Sequence, residues 1–246
     1  MKIYSLASGS SGNCFYIKSK ETSILVDCGI SATKIKARLK DLGQDLSKIG
    51  GVLVTHEHGD HSRAATRLNV PIWIEGSCEL MTPYRSVKEL KKYHAGMSFV
   101  IGDLVIQPFH VLHNAVAPCG FAISEGTTKI GFAIDVGNLT AEMLEMFQDL
   151  AVLMIEADYD PDLLARSGRT LSAQRKSRRW HLSNFQTVAL LDSINKEKLK
   201  AVMLTHLSEE ANTPERARET VSSVIDTEKV KLVVAPRDEV SEVIEV

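Results

Sequence analysis

The densest cluster of chemically active side chains is the segment from His56 to His61, which reads HEHGDH. It closely follows the apolar run from Gly51 to Val54. A short run of β-branched and aliphatic residues that ends in polar residues predicts a buried strand followed by a loop. Imidazole and carboxylate groups suit zinc, manganese or iron, and this loop offers more ligands than one tetrahedral ion needs. We therefore expect a site for two metal ions here; a histidine-rich surface loop is the weaker alternative.

The composition is ordinary for a soluble globular protein, with 44% hydrophobic and 24% charged residues among 246. That length suits one large α/β domain, so we expect a single domain that spans residues 1–246. The formal net charge of −2 predicts no general attraction to polyanions. Nucleic-acid binding would therefore need a local basic patch.

The cysteines and the N-terminal residues predict a cytoplasmic protein. The four cysteines are widely spaced and form no Cys-x-x-Cys pair, which is typical of reduced thiols rather than of a disulfide framework. The first residues resemble a strand and not a signal peptide, and no apolar run approaches the length of a membrane span. We expect no membrane association.

The order of the apolar runs predicts alternating strands and helices, which is typical of an α/β fold. Strands are predicted at residues 3–6, 14–18, 24–27, 51–55, 70–74, 99–101, 104–109, 121–124, 129–134, 151–155, 201–204 and 231–234. Helices are predicted at residues 31–42, 62–68, 139–147, 185–194 and 214–225, and a short one begins at Pro161. Residues 75–97 are predicted to be mostly helix and loop. The dipeptide Thr-His ends two of these strands, at 55–56 and 205–206, which suggests two related halves packed face to face.

Candidate metal ligands also follow three later strands, at His113, Asp135 and His206. A lone histidine in a β-rich region is more often structural, but emergence at strand ends makes ligation an equal alternative. The full candidate set is His56, His58, Asp60, His61, His113, Asp135 and His206. It would suffice for two adjacent ions that share one carboxylate. Such a pair activates water and stabilises a displacement reaction, which predicts hydrolysis of a phosphodiester, ester, thioester or strained amide.

Two further segments have the character of phosphate contacts. The segment 166–179 carries six positive charges and no acidic residue, which is the electrostatic footprint of nucleic-acid binding; a solvated loop is the weaker alternative. Its candidate contacts are Arg175, Lys176, Arg178 and Arg179. The loop 8–13 can present backbone N–H groups and hydroxyls to a phosphate, although a flexible hairpin loop explains it better from the residues alone. Asp27 ends a strand, and without further context an ordinary turn aspartate is its best explanation.

The segment THEHGDH at 55–61 resembles the signature of the metallo-β-lactamase superfamily, and the later candidates occur in that superfamily's order. The resemblance implies a four-layer αββα sandwich with the metals at one edge. It assigns His56, His58 and His113 to a first metal and Asp60, His61 and His206 to a second. Asp135 would bridge the two ions. Asp27 matches the superfamily's first acidic motif, so the resemblance gives it a supporting role beside the ligands.

Within the superfamily, the segments 8–13, 134–138 and 181–184 look most like the WalJ (YycJ) group of nucleases. That group is similar to ribonuclease Z and to the β-CASP nucleases but lacks the inserted β-CASP domain. The resemblance implies a metal-dependent 5′-to-3′ exonuclease on DNA, associated with mismatch repair. Glu156 and His181 match a pair in ribonuclease Z that positions a proton donor for the leaving oxygen. Trp180 stands where the group's pattern leads us to expect glycine.

The leading hypothesis is therefore a nuclease in which two metals, either zinc or manganese, activate a hydroxide that attacks phosphorus. Its catalytic residues would be Asp60, Glu156 and His181. A terminal phosphate would lie against Ser8, Ser10, Ser11, Asn13, Ser183 and Asn184. The expected partner is DNA that is single-stranded or has a free 5′ end, with RNA as an alternative. A small ester, thioester or lactone hydrolase of the same fold, and a DNA-binding protein with a vestigial site, are the competing hypotheses.

Overall fold

Two seven-stranded sheets form the centre of the protein. The computed structural model describes residues 1–81 and 84–246. The strands of the first sheet are β1 (Lys2–Ala7), β2 (Cys14–Lys18), β3 (Ser23–Val26), β4 (Gly51–Leu53), β5 (Ile72–Glu75), β6 (Leu90–Tyr93) and β14 (Ile244–Glu245). Those of the second are β7 (Phe99–Ile101), β8 (Leu104–His110), β9 (Cys119–Glu125), β10 (Thr128–Ala133), β11 (Val152–Glu156), β12 (Ala201–Thr205) and β13 (Lys231–Val234).

The two sheets have the same mixed topology. The first has the order β14-β1-β2-β3-β4-β5-β6, antiparallel up to β3 and parallel from β3 to β6. The second has the order β7-β8-β9-β10-β11-β12-β13, antiparallel up to β10 and parallel from there. The two related halves expected from the sequence are confirmed.

Alternation of side chains along the strands builds a four-layer sandwich. In β2, Phe15 points between the sheets, where its ring meets Phe132 of β10 edge-on at 5.0 Å, and the next residue, Tyr16, points to the outer layer. Each such aromatic, once fully buried, contributes about 1.5–3 kcal/mol. Helices cover the outer face of each sheet, which confirms the predicted αββα arrangement.

The helices are mostly short and capped by side chains. They are α1 (Ala32–Asp41), α2 (Gly59–Ser62), α3 (Ala141–Met146), α4 (Pro161–Arg166), α5 (Leu171–Trp180), α6 (Asn184–Ser193) and α7 (Pro214–Ser222). Ser31 accepts from the Lys34 N–H and so begins α1 as predicted, and Pro161 is at the first turn of α4. None of the described helices has the length and apolarity that a membrane span requires.

Four elements differ from the sequence prediction, one of which is the short strand β14 near the C-terminal residue, where no strand was predicted. The helix expected at 62–68 instead begins inside the histidine-rich segment, as α2, and is followed by a separate 3₁₀ turn at Ala65–Arg67. The segment 75–97, of which 82–83 lie outside the described residues, contains the edge strand β6. Its exposed Lys91 and Lys92 are typical of an edge strand, in which lysine is common. The basic segment contains a helix, α5, which Thr170 caps.

Candidate active site

The candidate ligands converge at one edge of the sandwich because each follows the carboxyl end of a strand. The loop after β4 supplies His56, His58, Asp60 and His61, whereas β8, β10 and β12 lead to His113, Asp135 and His206 respectively. His58 precedes α2, so Asp60 and His61 lie in its single turn. Carboxyl ends of parallel strands are the usual position of α/β sites.

Unusual backbone conformations occur after β3, β10 and β12, close to the candidate ligands. Asp27, Asp135 and His206 have φ angles of 61°, 56° and 54°, in the left-handed region that non-glycine residues seldom adopt. Each such residue costs about 1–3 kcal/mol unless its surroundings impose the conformation. The only other non-glycine example among the described residues is Asp149, in the turn before β11. The strain is therefore concentrated where side chains turn into the site.

Asp135 lies at the centre of the histidines. Its Oδ2 is 3.3 Å from Nε2 of His56, 3.2 Å from Nε2 of His61 and 3.4 Å from Nε2 of His113. Its Oδ1 is 3.3 Å from Nε2 of His206. Three compact groups of donor atoms share this carboxylate. The first is His56, His58, His113 and Asp135, the second is Asp60, His61, Asp135 and His206, and the third is Asp135, Glu156, His181 and His206.

Several of these donors lack partners within the protein. His56 Nε2, His206 Nε2 and Asp135 Oδ1 are buried and have no hydrogen bond to any described residue. A buried polar atom without a partner is costly and calls for a ligand, ion or water. Imidazole nitrogens and a carboxylate around one space suit zinc, manganese and iron. The residues of the first two groups therefore fit divalent cations.

Neighbouring groups fix the orientation of the ligands. His61 Nδ1 lies 2.7 Å from Oδ2 of the buried Asp27, which also accepts from the Thr55 N–H at 2.8 Å. His113 Nδ1 donates to the carbonyl oxygen of Trp180 at 3.1 Å. In both rings the outer nitrogen is thereby occupied, and Nε2 faces the shared carboxylate. Burial lowers the pKa of His113 to about 4, so its imidazole is neutral, as a ligand must be.

Glu156 and His181 form a pair beside the candidate metal ligands. The fully buried Glu156 accepts through Oε2 from the N–H groups of Val136 (2.8 Å) and Leu182 (3.2 Å), and through Oε1 from His181 Nδ1 at 2.6 Å. Burial lowers the pKa of His181, but the charge of Glu156 and this hydrogen bond outweigh it and raise the pKa to about 9. His181 Nδ1 also lies 3.5 Å from Asp135 Oδ1. A histidine held this way can carry a proton next to the ligands.

Trp180 reaches the site mainly through its backbone. It ends α5, and its carbonyl is the partner of His113. Gly137, two residues after Asp135, makes room for this helix end, since a Cβ there would lie 2.4 Å from the carbonyl oxygen of Arg179. The indole lines the cleft. The tryptophan therefore does not prevent His181 from reaching Glu156.

The ligands open into a cleft of about 300 Å³. Besides the ligands and His181, its wall includes Ser10, Asn114, Asp158, Arg169, Lys176, Ser177, Trp180 and Ser208. The sequence prediction did not single out Asp158 or Ser208, and it included Arg169 only as part of the basic segment. Asp158 Oδ1 lies 3.7 Å from His206 Nδ1. Its position two residues after Glu156, just beyond the same strand end, is the sequence feature that could have identified it as a site residue.

Only two of the predicted phosphate contacts line this cleft, Ser10 and Lys176. Arg175, Arg178 and Arg179 are exposed on other faces of α5, because a helix of this length points its side chains in all directions. Arg179 instead lies over the Trp180 ring, 4.6 Å from its centroid. Ser11 is exposed but belongs to a neighbouring depression, where its carbonyl accepts from Arg63.

The remaining predicted phosphate contacts have partners inside the protein. Ser8 is buried, and its Oγ accepts from the His206 N–H at 2.8 Å. The Asn13 side chain exchanges hydrogen bonds with the backbone of Gly9. Ser183 caps α6, and Asn184 pairs with Asn212 through both amides. These four predicted contacts are corrected to structural roles, because their polar groups are buried and already engaged.

The fold and the donor set define the class of protein. Residues 22–207 match the Beta-lactamase superfamily domain, and the chain belongs to that superfamily as a metal-dependent hydrolase. Two similar proteins have names that specify a nuclease. The exodeoxyribonuclease WalJ of Streptococcus pneumoniae (strain D39) is 31% identical over 231 residues, which are 88% of this chain and 85% of WalJ. The exodeoxyribonuclease YycJ of Bacillus anthracis is 26% identical over 231 residues, or 90% and 88% of the two chains.

A solved structure supports the fold independently. The metallo-β-lactamase fold protein YhfI of Bacillus subtilis superposes with a TM-score of 0.76 over 100% of this chain and 99% of its own, at 14% identity. The predicted superfamily, fold and enzyme class are therefore confirmed.

Proposed function

We propose that this protein is an exonuclease that uses two divalent metal ions to hydrolyse DNA from its 5′ end. The observation that carries the proposal is the Glu156–His181 pair, which lies next to two donor groups that share Asp135. The sugar oxygen that leaves a phosphodiester is strongly basic and needs a proton, whereas the thiolate that leaves a thioester does not. A positioned proton donor therefore accelerates hydrolysis of a phosphodiester but does little for hydrolysis of a thioester.

The candidate ligands are assigned to two cation sites in this proposal. Bound in the two donor groups, divalent cations supply a nucleophilic water at neutral pH and positive charge beside the phosphoryl oxygens. His56, His58 and His113 hold one cation in this proposal, and Asp60, His61 and His206 hold the other. Asp135 joins both groups.

Two side chains manage protons. Burial raises the pKa of Asp60, but its contact with His61 outweighs this and lowers the pKa to about 2, so the carboxylate stays ionised and can accept a hydrogen bond from the attacking water. His181 donates a proton from Nε2 to the leaving 3′-oxygen. Its Nδ1 keeps the hydrogen bond to Glu156, which stabilises the protonated ring.

The finer parts of the proposal have different supports. DNA as substrate is supported by the names of WalJ and YycJ, both called exodeoxyribonucleases. The 5′-to-3′ direction and a role in mismatch repair are supported by the sequence resemblance described above. The donor set suits zinc and manganese alike. The free, buried cysteines are consistent with the reducing cytoplasm, where chromosomal DNA would be reached.

The test is digestion of one single-stranded oligonucleotide labelled at either end. With manganese or zinc added, we expect a 5′ label to appear first as a mononucleotide and a 3′ label to give a descending ladder. RNA of the same sequence and a panel of thioesters serve as competing substrates. Absence of metal-dependent DNA cleavage, or faster turnover of a thioester, would contradict the proposal.

A further inference from the structure

Arg169 is a cleft-lining arginine whose guanidinium is held in one orientation. Its Nε donates to Glu210 at 2.6 Å, one terminal nitrogen donates to Ser177 Oγ at 3.1 Å, and the other donates to Ser208 Oγ at 3.1 Å. A guanidinium has five N–H donors, so one remains on each terminal nitrogen. The side chain is 27% exposed, which leaves these donors a route to the cleft.

The position of this guanidinium relative to His181 is set by α5. Ser177, its partner, precedes His181 by four residues, about one helical turn or roughly 6 Å along the axis. His181 is the proposed donor to the leaving oxygen. The guanidinium therefore lies in the same cleft as His181, between Ser177 and Ser208.

The charges on this wall favour an anion. Lys176 lines the cleft beside Ser177 and forms no ion pair or hydrogen bond within the described parts of the chain. The Glu210 carboxylate binds Arg169 at Nε and so fixes the side chain. It does not occupy the two terminal nitrogens, which donate to Ser177 and Ser208. Among the residues that line the cleft, Asp158 is the acidic one outside the proposed metal ligands, and its Oδ1 lies 3.7 Å from Nδ1 of His206. Rigid bidentate donors match phosphate better than a lysine ammonium does.

We propose that Arg169, assisted by Lys176, binds the 5′-phosphate of the terminal nucleotide, and so selects 5′-phosphorylated DNA ends. The inference rests on the proposed nuclease function and adds a determinant of substrate choice. It also replaces the predicted contacts at Asn13, Ser183 and Asn184, whose polar groups are engaged inside the protein.

The test compares binding of the metal-loaded protein to one oligonucleotide with a 5′-phosphate or a 5′-hydroxyl. Phosphorothioates at the first linkages slow hydrolysis, and fluorescence anisotropy reports binding. We expect the wild type to prefer the phosphorylated end about tenfold or more. Arg169→Gln should abolish this preference and reduce the salt dependence by about 0.7 in the log–log slope. Arg169→Lys should retain part of it.

Two further variants make the result specific. Arg166→Gln removes the same charge at an exposed position three residues away and should behave as the wild type. Lys176→Gln perturbs no internal contact of the described residues and should weaken the preference for the 5′-phosphate. This variant therefore tests the proposal even if Arg169→Gln misfolds. If the wild type cuts DNA but binds both ends equally, or Arg169→Gln keeps the preference, the phosphate site is refuted and the nuclease remains. If the wild type neither binds nor cuts DNA, both proposals fail.

Discussion

Glu156→Gln is the sharpest perturbation of the proposed proton donor, because it removes one charge and almost no volume. Three N–H groups point at the Glu156 carboxylate, from Val136, Leu182 and His181. An amide has one oxygen in place of two, so at least one of those donors must then face an NH₂ group. His181 also loses the negative charge that stabilises its protonated ring.

The size of the effect follows from these contacts. A hydrogen bond to a charged group contributes about 1.5–3 kcal/mol, and a positioned general acid contributes about 10²–10⁴-fold in rate. We therefore expect kcat on DNA to fall about 10²- to 10³-fold. A buried N–H group that faces the new NH₂ group has no acceptor, which should lower the free energy of unfolding by about 1–3 kcal/mol. The metal content should stay at the wild-type level, because the two donor groups proposed to hold the metals do not include Glu156, which belongs to the third group and lies 3.3 Å from Nδ1 of His206.

The assay uses two leaving groups. DNA needs a proton on its leaving oxygen, whereas a p-nitrophenyl ester of a nucleotide releases a weakly basic phenolate. The defect of Glu156→Gln should be large on DNA and small on the p-nitrophenyl substrate. Glu142→Gln, on the exposed side of α3, is the matched control. Equal defects on both substrates, or a loss of bound metal that parallels the loss of activity, would refute a role in protonation.

Three other predictions address the rest of the site. Gly29→Ala should lower both metal affinity and melting temperature, because the new Cβ would lie 1.6 Å from the backbone oxygen of Asp60; calorimetry and metal analysis test this, and an unchanged metal content would contradict it. His206→Ala should remove one metal per chain and most of the DNA hydrolysis, which metal analysis and a cleavage assay would show; full activity would exclude the residue as a ligand. Ser183→Ala should cost about 1 kcal/mol of stability through loss of the α6 cap and leave DNA affinity unchanged. Weaker DNA binding by that variant would restore the predicted phosphate contact.

The candidate metal ligands could be proposed from sequence because each follows a strand, and strand ends are well marked by apolar runs. His206 is an example, since the buried run from Ala201 to Thr205 precedes it directly. The alternation of strands and helices followed from the same runs, whereas the four-layer fold followed from the resemblance. At these positions the local sequence pattern agrees with the tertiary structure, so the pattern is enough to predict where the side chains lie.

The phosphate contacts could not be predicted because a polar side chain's partners depend on the tertiary structure. Asn184 looks available in sequence, yet its partner Asn212 is 28 positions away. Arg169 is one of several arginines in its segment, and only its three hydrogen bonds distinguish it. Helix α5 was missed because charged residues without a clear apolar period fit a helix and a loop equally well.

The most direct test of the central claim is a titration of metal-free protein with manganese, following release of the 5′-terminal nucleotide from labelled single-stranded DNA. If the two donor groups around Asp135 each hold one ion, activity should remain low at one equivalent and reach its maximum near two. Full activity at one equivalent, or DNA hydrolysis that needs no metal, would contradict the account.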